Sequence, residues 1–407
     1  MGRFTDTADI FANETALYDD YQPDDLLERE AEITDIVTTL QSITNGDRPR
    51  NMFIYGQTGT GKTLTTNTLL TELEADLADH PDYSVNTDWV NCRDKSAYHT
   101  AISLVNELKD DSEDTINAGY QTSDIHDMLF DSIATSEATH HILVLDEIDH
   151  VATDTEEGLL YQLSRAHQHQ DLNGTQLSII GISNNFRFRE NLDSQTQSGL
   201  CETEVHFSPY NADQLRSIIS QRVSQSFQEN TVNTAAIAKT AAVAAQDTGS
   251  ARHALDILHQ AGLLARKNNL ETITDTTIDE AVSHVQRGRI MDELQELPTQ
   301  SHYVLAAIIS LTEQYNTEAP STTEIYERYE HISNEADSNG TTLSQRSIHN
   351  RLSELATTGF LAFEQVNNGK NGGMYNTYTL EVPADDITQF LNEETRMGRD
   401  SNQTTLV

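Results

Sequence analysis

Four short apolar runs, each ending in polar residues and followed by a stretch with helical spacing, dominate the first half of the chain. They are NMFIYG (51–56), SVNTDWVNC (84–92), HHILVLDEID (140–149) and QLSIIGISNN (176–185). Runs of this length bounded by turn residues predict buried strands, and strands alternating with helices predict a parallel α/β sheet. Ahead of the first run, Leu27, Ile33, Ile36, Val37 and Leu40 recur on one face of a predicted amphipathic helix. From about Pro209 the strand pattern stops, and NADQLRSIISQRVSQSF, TAAIAKTAAVAAQD, SARHALDILHQAGLLARKN and TIDEAVSHVQRGRIMDEL are all helical in spacing. Pro298 opens a third group of helices, which closes with two strands about an Asn/Gly turn in LAFEQVNNGKNGGMYNTYTLEV. The expected organisation is an α/β module over 1–206, a helical module over 207–296, a helix-and-hairpin module over 297–390 and a flexible tail over 391–407.

Composition narrows the class. Hydrophobic residues make up 36% of the 407, enough to build cores, so a disordered chain is not expected. No apolar run approaches the roughly eighteen residues of a membrane span, and the start, MGRFTDTADIF, lacks the pattern of a secretory signal. Two cysteines, Cys92 and Cys201, make neither a disulfide framework nor a zinc site, and Cys92 reads as a small apolar filler. A soluble intracellular protein is expected. Charge changes the picture more: 25 Lys+Arg against 65 Asp+Glu gives −40 and a sequence pI near 4.4. One reading is avoidance of polyanions; the favoured one is adaptation to high salt, because the acids are dispersed through every segment. At molar salt the Debye length is about 3 Å, so the net charge does not exclude DNA as a partner.

The sharpest chemical signal is GQTGTGKT, Gly56 to Thr63, which fits the phosphate loop G-x-x-x-x-G-K-[ST] between a predicted strand and a predicted helix. Gly56, Gln57, Thr58, Gly59, Thr60 and Gly61 would turn backbone N–H groups around phosphates at the positive end of the following helix. Lys62 would reach the terminal phosphates and the Thr63 hydroxyl would take Mg²⁺. The strand ILVLDEID ends in Asp146 and Glu147, a pair suited to Mg²⁺ coordination and to polarising an attacking water. Asn184, at the tip of the next strand, could orient water or sense the last phosphate; alone it would be an ordinary turn residue. ATP or ADP with Mg²⁺ is the expected cofactor. The histidines of HQHQ (167–170), and His140 with His141, lack a second ligand pair, so no metal centre is expected there.

In order, GQTGTGKT, VLDEID, IIGISNN, FSPYNADQL and GSARHALDILHQAG resemble the archaeal initiators of the origin-recognition and cell-division-control type, within the AAA+ ATPases. The resemblance runs from about Ile10 to Val382. It implies a P-loop AAA+ module of parallel sheet plus helical lid, followed by a winged-helix DNA-binding domain. It assigns Lys62 and Thr63 to Walker A, Asp146 and Glu147 to Walker B, Asn184 to sensor 1 and Arg252 to sensor 2, with Glu147, Asn184 and Arg252 as catalytic candidates. Leu64, Tyr210 and Arg222 join the nucleotide-binding candidates, as do Leu26, Leu27 and Arg29 in YQPDDLLERE, where the family flanks the adenine. The segment between DWVNC and HHILVLDEID sits where the family carries a helical insertion.

In TTLSQRSIHNRLSELATTGFL, a Ser344 cap precedes Ile348, Leu352 and Leu355 on one face, leaving Gln345, Arg346, His349 and Asn350 for a major groove. Lys370 would mark the wing tip. An interaction domain without DNA is the alternative, given the unit's sparse positive charge. The implied partners are double-stranded origin DNA and the replicative minichromosome-maintenance helicase. The chain would act as a monomer in solution or a multimer on DNA, at the nucleoid in the cytoplasm and without a membrane. One departure stands out: in DSQTQSGL, Gln195 and Gln197 occupy places where the family carries basic residues, the first of them the arginine finger. That favours a slow switch over a motor. A divergent DNA-binding regulator and an AAA+ remodelling ATPase remain the competing readings.

Overall fold

A computed structural model describes residues 10–397 apart from 24, 110–113, 152–157, 167–171, 316, 337–341 and 368–373. The chain divides into two compact units, Met1–Ala281 and Val282–Val407.

The first unit is built on a five-stranded parallel sheet in the order β2-β3-β4-β1-β5, with β1 Met52–Gly56, β2 Val85–Asn91, β3 His140–Asp146, β4 Gln176–Ser183 and β5 Thr203–Phe207. Four of these are the predicted runs. The fifth, TEVHF, went unread: it is a short edge strand whose burial alternates, and its pairing with β1 supplies the order that its sequence does not. Alternation sorts the sheet's core. Phe53, Leu143, Leu145 and Ile179 face one apolar cluster, with α3 (Ala97–Glu107) and α4 (Thr122–Thr135) packed there. Met52, Ile54, Ile142, Val144, Ile180 and Ile182 face the other, with α1 (Glu30–Leu40) and α2 (Lys62–Leu77). Of the face predicted for α1, Ile36 and Leu40 are buried, but Val37 is 43% exposed and Leu27 precedes the helix. Two of the predicted face positions, Leu27 and Val37, therefore lie outside the helix's buried face.

Helices α5 (Leu159–Ser164) and α6 (Ser194–Leu200) complete the sheet layer. Beyond β5 come α7 (Ala212–Ser226), α8 (Thr234–Asp247) and α9 (Ala251–Lys267), each opened by an asparagine or serine cap: Asn211, Asn233 and Ser250. α10 (Asp275–Glu296) contains the division between the two units. An N-terminal strap lies along the lid helices. Phe11 stacks on Phe227 with ring centroids 5.0 Å apart, and Gln228 N donates to Ile10 O at 3.0 Å. Glu14 accepts from Arg266 Nη1 at 3.0 Å and pairs with His259 Nε2 at 2.9 Å. Burial pushes the Glu14 carboxyl up, but those two partners outweigh it and hold it below its ordinary value.

The second unit packs α11 (Thr299–Gln314), α12 (Thr322–Ala336) and α13 (Gln345–Thr357) around Tyr329, Phe360 and Tyr378. β6 (Leu361–Asn367) and β7 (Met374–Leu380) pair antiparallel, and Ser321 bridges to Thr377 beside them. α14 (Ala384–Met397) buries Ile387 and Leu391, so the tail expected from residue 391 does not begin there: its apolar spacing continues a helix already docked. Among the described residues no helix is long and apolar enough to cross a membrane.

Phe11→Ala should cost about 3–5 kcal/mol of unfolding free energy, because Phe11 is only 4% exposed in a closed aromatic contact. Denaturant unfolding at fixed salt checks this; a loss below about 1 kcal/mol would mean the strap is not part of the folded core.

Candidate functional site

Strand β1 ends at Gly56 and α2 begins at Lys62, so the loop between them turns at the head of a helix. Two of its glycines are required by geometry. Gly59 (φ +77°) has no room for a side chain, since a Cβ would lie 1.9 Å from Ser250 Oγ, and Gly61 (φ +89°) faces the Tyr210 hydroxyl. Inside the loop, Lys62 Nζ donates to the carbonyls of Gly56 and Gln57, both at 2.9 Å, and to Asn184 Oδ1 at 2.8 Å. Burial is the main influence on this ammonium and lowers its pKa to about 8, although Asp146 and Asp149 oppose the shift.

Strand order explains why these groups meet. β4 lies directly beside the loop strand β1 and β3 beside β4, so Asp146 and Asn184 project from adjacent strand ends toward Lys62 and Thr63. The Thr63 hydroxyl donates to Asp146 Oδ2 at 3.0 Å, and Glu147 N donates to Asp146 Oδ1 at 2.9 Å. Burial raises the pKa of Asp146 against those two bonds. Glu147 holds a left-handed backbone (φ 53°), with its carboxylate 3.7 Å from both Arg93 Nε and His150 Nε2. Asn184 N also leans on Asp149 Oδ1 at 3.3 Å.

Arg29 is 3% exposed and ties three elements together. Its Nε donates to Thr60 O at 3.0 Å, Nη2 to Ser208 O at 2.7 Å and Nη1 to Glu32 Oε1 at 3.0 Å, while its guanidinium lies 3.7 Å over the Tyr210 ring. Its nitrogens are thus engaged with the protein, where it braces the phosphate loop, and it also lines the cavity in which it was expected to flank an adenine. Thr60 likewise turns inward, its hydroxyl bonded to Gln57 O.

From the lid, Ala251 N donates to Gly59 O at 2.9 Å, docking the start of α9 on the phosphate loop. Arg252 pairs through Nε with Asp19 Oδ2 at 2.9 Å, both side chains half-exposed. Arg222 is 5% exposed with its guanidinium 4.7 Å over the Tyr21 ring, and its Nη1 has no hydrogen-bond partner among the described residues. Burial pulls its pKa down.

These parts enclose a cavity of about 510 Å³, within the range of small-ligand sites. Leu26, Leu27, Arg29, Thr58, Gly59, Gly61, Lys62, Thr63, Leu64, Asp146, Glu147, Asn184, Tyr210, Arg222 and Arg252 all line it. Gly56, Gln57 and Thr60 stand behind the wall as its framework. Sequence reasoning missed Asp19, Tyr21, Asn91 and Arg93. Asp19 and Tyr21 lie in a polar segment without periodicity, and only the fold brings them to the lid. The groups fit an anionic nucleotide: inward-turned glycines, a buried ammonium, and a buried guanidinium with one nitrogen unpartnered among the described residues.

In the second unit, Gln345, Arg346, His349 and Asn350 are exposed on α13 while Ile348, Leu352 and Leu355 are buried, and Ser344 Oγ accepts from Ser347 N at 3.3 Å. Lys370 and the histidines of 167–170 lie outside the described residues, among which no cluster could hold a metal ion by itself. Gln195 sits in the first turn of α6, which Asp193 caps, and its Oε1 accepts from Arg165 Nη1 at 2.7 Å. Arg189, which follows Arg187 on the preceding 3₁₀ turn, is ion-paired with Glu204. Gln197 lies two residues further along the same helix.

Sheet order, phosphate loop and docked lid define an AAA-type ATPase fold, joined in one chain to a winged-helix domain. Family models agree: AAA ATPase domain over residues 25–180, Cdc6 AAA+ ATPase-type lid domain over 216–283, and CDC6 C-terminal winged-helix domain over 292–390. ORC1-type DNA replication protein 1 of Haloarcula marismortui is 36% identical, covering 99% of this chain and 98% of its own. ORC1-type DNA replication protein 8 of Halobacterium salinarum is 39% identical over 94% and 95%. Among solved structures, the Aeropyrum pernix ORC1 protein in complex with DNA superposes with a TM-score of 0.81 at 28% identity, covering 96% of this chain and 98% of that one. The chain belongs to the family of ORC1-type DNA replication proteins.

Arg29→Met should keep the stem but leave Thr60 O, Ser208 O and Glu32 without their donor, costing about 3 kcal/mol in unfolding experiments. A loss under about 1 kcal/mol would show that the loop is shaped without it.

Proposed function

We propose that this chain is an ATP-dependent initiator that binds duplex origin DNA and uses nucleotide as a conformational switch. The observation that carries the proposal is the convergence of loop, strand-end carboxylates, Asn184 and two lid arginines on one cavity, in a chain that also exposes a polar recognition-helix face. The loop backbone, Lys62, Arg222 and Arg252 would hold the phosphates; Thr63 and Asp146 would hold Mg²⁺; Leu26 and Leu27 offer apolar surface for the base. Bound Mg²⁺ supplies charge neutralisation at the phosphates. Glu147 is placed to take a proton from water, and Asn184 to orient that water.

DNA contact is assigned to Gln345, Arg346, His349 and Asn350, with Lys370 at the wing. At high salt counterion release contributes little, so affinity must rest on base edges, shape and a few cations. By resemblance, the helicase partner is the minichromosome-maintenance type, and the working state is a monomer in solution or a multimer on DNA, at the nucleoid. Residues 1–206, 207–296 and 297–390 are read as nucleotide, lid and DNA-binding modules.

Hydrolysis is proposed to be slow. An arginine finger contributes about 10³–10⁵ in rate where it operates, and Gln195 carries no charge to supply that effect. This feature also favours the second reading, a paralogue that regulates through ATP and DNA binding without firing origins.

Nuclease footprinting of duplex DNA at high salt, with and without ATP, tests the function: a discrete footprint altered by ATP is expected, and protection without sequence preference would count against it. Arg346→Ala should weaken specific binding by about 1–3 kcal/mol while leaving non-specific binding nearly unchanged. Gln195→Arg should raise hydrolysis at high protein concentration; an unchanged rate would mean that this loop does not meet a neighbour's nucleotide.

A further inference from the structure

Both lid cations that face the cavity are already held by the N-terminal strap, and by residues only two apart. Tyr21 lies under Arg222, and Asp19 is ion-paired with Arg252 at 2.9 Å. The strap itself is anchored on the lid by Phe11 and Glu14, so Asp19 is delivered to Arg252 by a segment with its own buried attachment. Arg252 stands beside the phosphate loop: its Cβ is 3.2 Å from where a side chain on Gly59 would begin, and its charge depresses the pKa of Lys62.

We infer that Asp19 is a specificity-determining residue: its carboxylate occupies Arg252 in place of the terminal phosphate of a nucleoside triphosphate, and only a triphosphate displaces it. The inference rests on the nucleotide-binding reading of the cavity. A diphosphate leaves the Asp19–Arg252 pair intact. A triphosphate adds an anion that competes for the same guanidinium, releases Asp19 and loosens the strap over the cavity. The strap therefore reports which nucleotide is bound. A contact of 2.9 Å is within the screening length of about 3 Å in molar salt, so the pair persists where longer-range attraction is lost.

The test compares the full-length protein with Asp19→Asn, Arg252→Gln and the double variant, at one fixed salt concentration. Calorimetric titration with Mg·ATP and with Mg·ADP gives the affinities; hydrogen exchange without nucleotide reads the amides of residues 18–22. Asp19→Asn should tighten ATP roughly two- to five-fold, the scale of an exposed ion pair, and leave ADP unchanged. In the Arg252→Gln background the same change should have no effect on ATP. Each single variant should speed exchange in the strap, and the double variant no further. Equal tightening of ATP and ADP would overturn the inference, reducing Asp19 to a general negative charge; so would an effect that survives Arg252→Gln. Unaltered exchange in both single variants would show that the pair does not hold the strap, whatever nucleotide does. If the unaltered protein bound neither nucleotide, the reading of the cavity would fall and the specificity role with it, while the exchange result would still report whether Asp19 holds Arg252.

Discussion

A loop built to surround an anion must keep its shape before the anion arrives, and here a buried ammonium meets that requirement. Lys62 Nζ fills the loop's centre by donating to two of its own carbonyls and to Asn184, which joins the loop to the end of a neighbouring strand. Arg29 does the same from outside, clamping Thr60 O to the end of β5 and resting on Tyr210. Neutral oxygens accept the hydrogen bonds of Lys62, and burial lowers its pKa to about 8 against the pull of Asp146 and Asp149. The loop is thus ordered and electrically unsatisfied together, which is what preorganisation for a phosphate requires.

The lid shares this design. Its helix α9 starts on the loop itself, tied to it by the hydrogen bond from Ala251 N to Gly59 O. Its cations, Arg222 and Arg252, are occupied by the strap's aromatic ring and carboxylate. Internal groups stand in for a ligand's at several points of the cavity, and exchanging them for phosphate oxygens would alter the packing of strap and lid. On the proposed reading, a binding event at the loop would be converted in this way into a mechanical one, the property of a switch more than of a fast motor.

Much of this was legible in the sequence because strong local constraints write themselves into short patterns. The phosphate loop needs its glycines and lysine in fixed order, and a strand buried on both faces needs an unbroken apolar run, so GQTGTGKT and HHILVLDEID could be placed without the fold. Helix α13 was visible for a similar reason, since Ile348, Leu352 and Leu355 keep helical spacing. Edge strand β5 was not, because its five residues carry no more signal than a loop. Nor was the strap: Asp19 and Tyr21 matter only through contacts with residues some two hundred positions away. Arg29 was expected beside an adenine; that Thr60 O, Ser208 O and Glu32 accept its hydrogen bonds could be read only from the fold.

Lys62 is where the account is most exposed to measurement. Mg·ATP should be titrated into the full chain at pH 9, in buffers of different ionisation heat. Near pH 9 a lysine with a pKa of about 8 is mostly neutral, and a bound phosphate would restore its proton. The predicted result is one ATP per chain, bound with uptake approaching one proton, and the uptake vanishing by pH 6. Absence of binding, or binding at pH 9 without proton uptake, would contradict the claim that this buried charge awaits a phosphate.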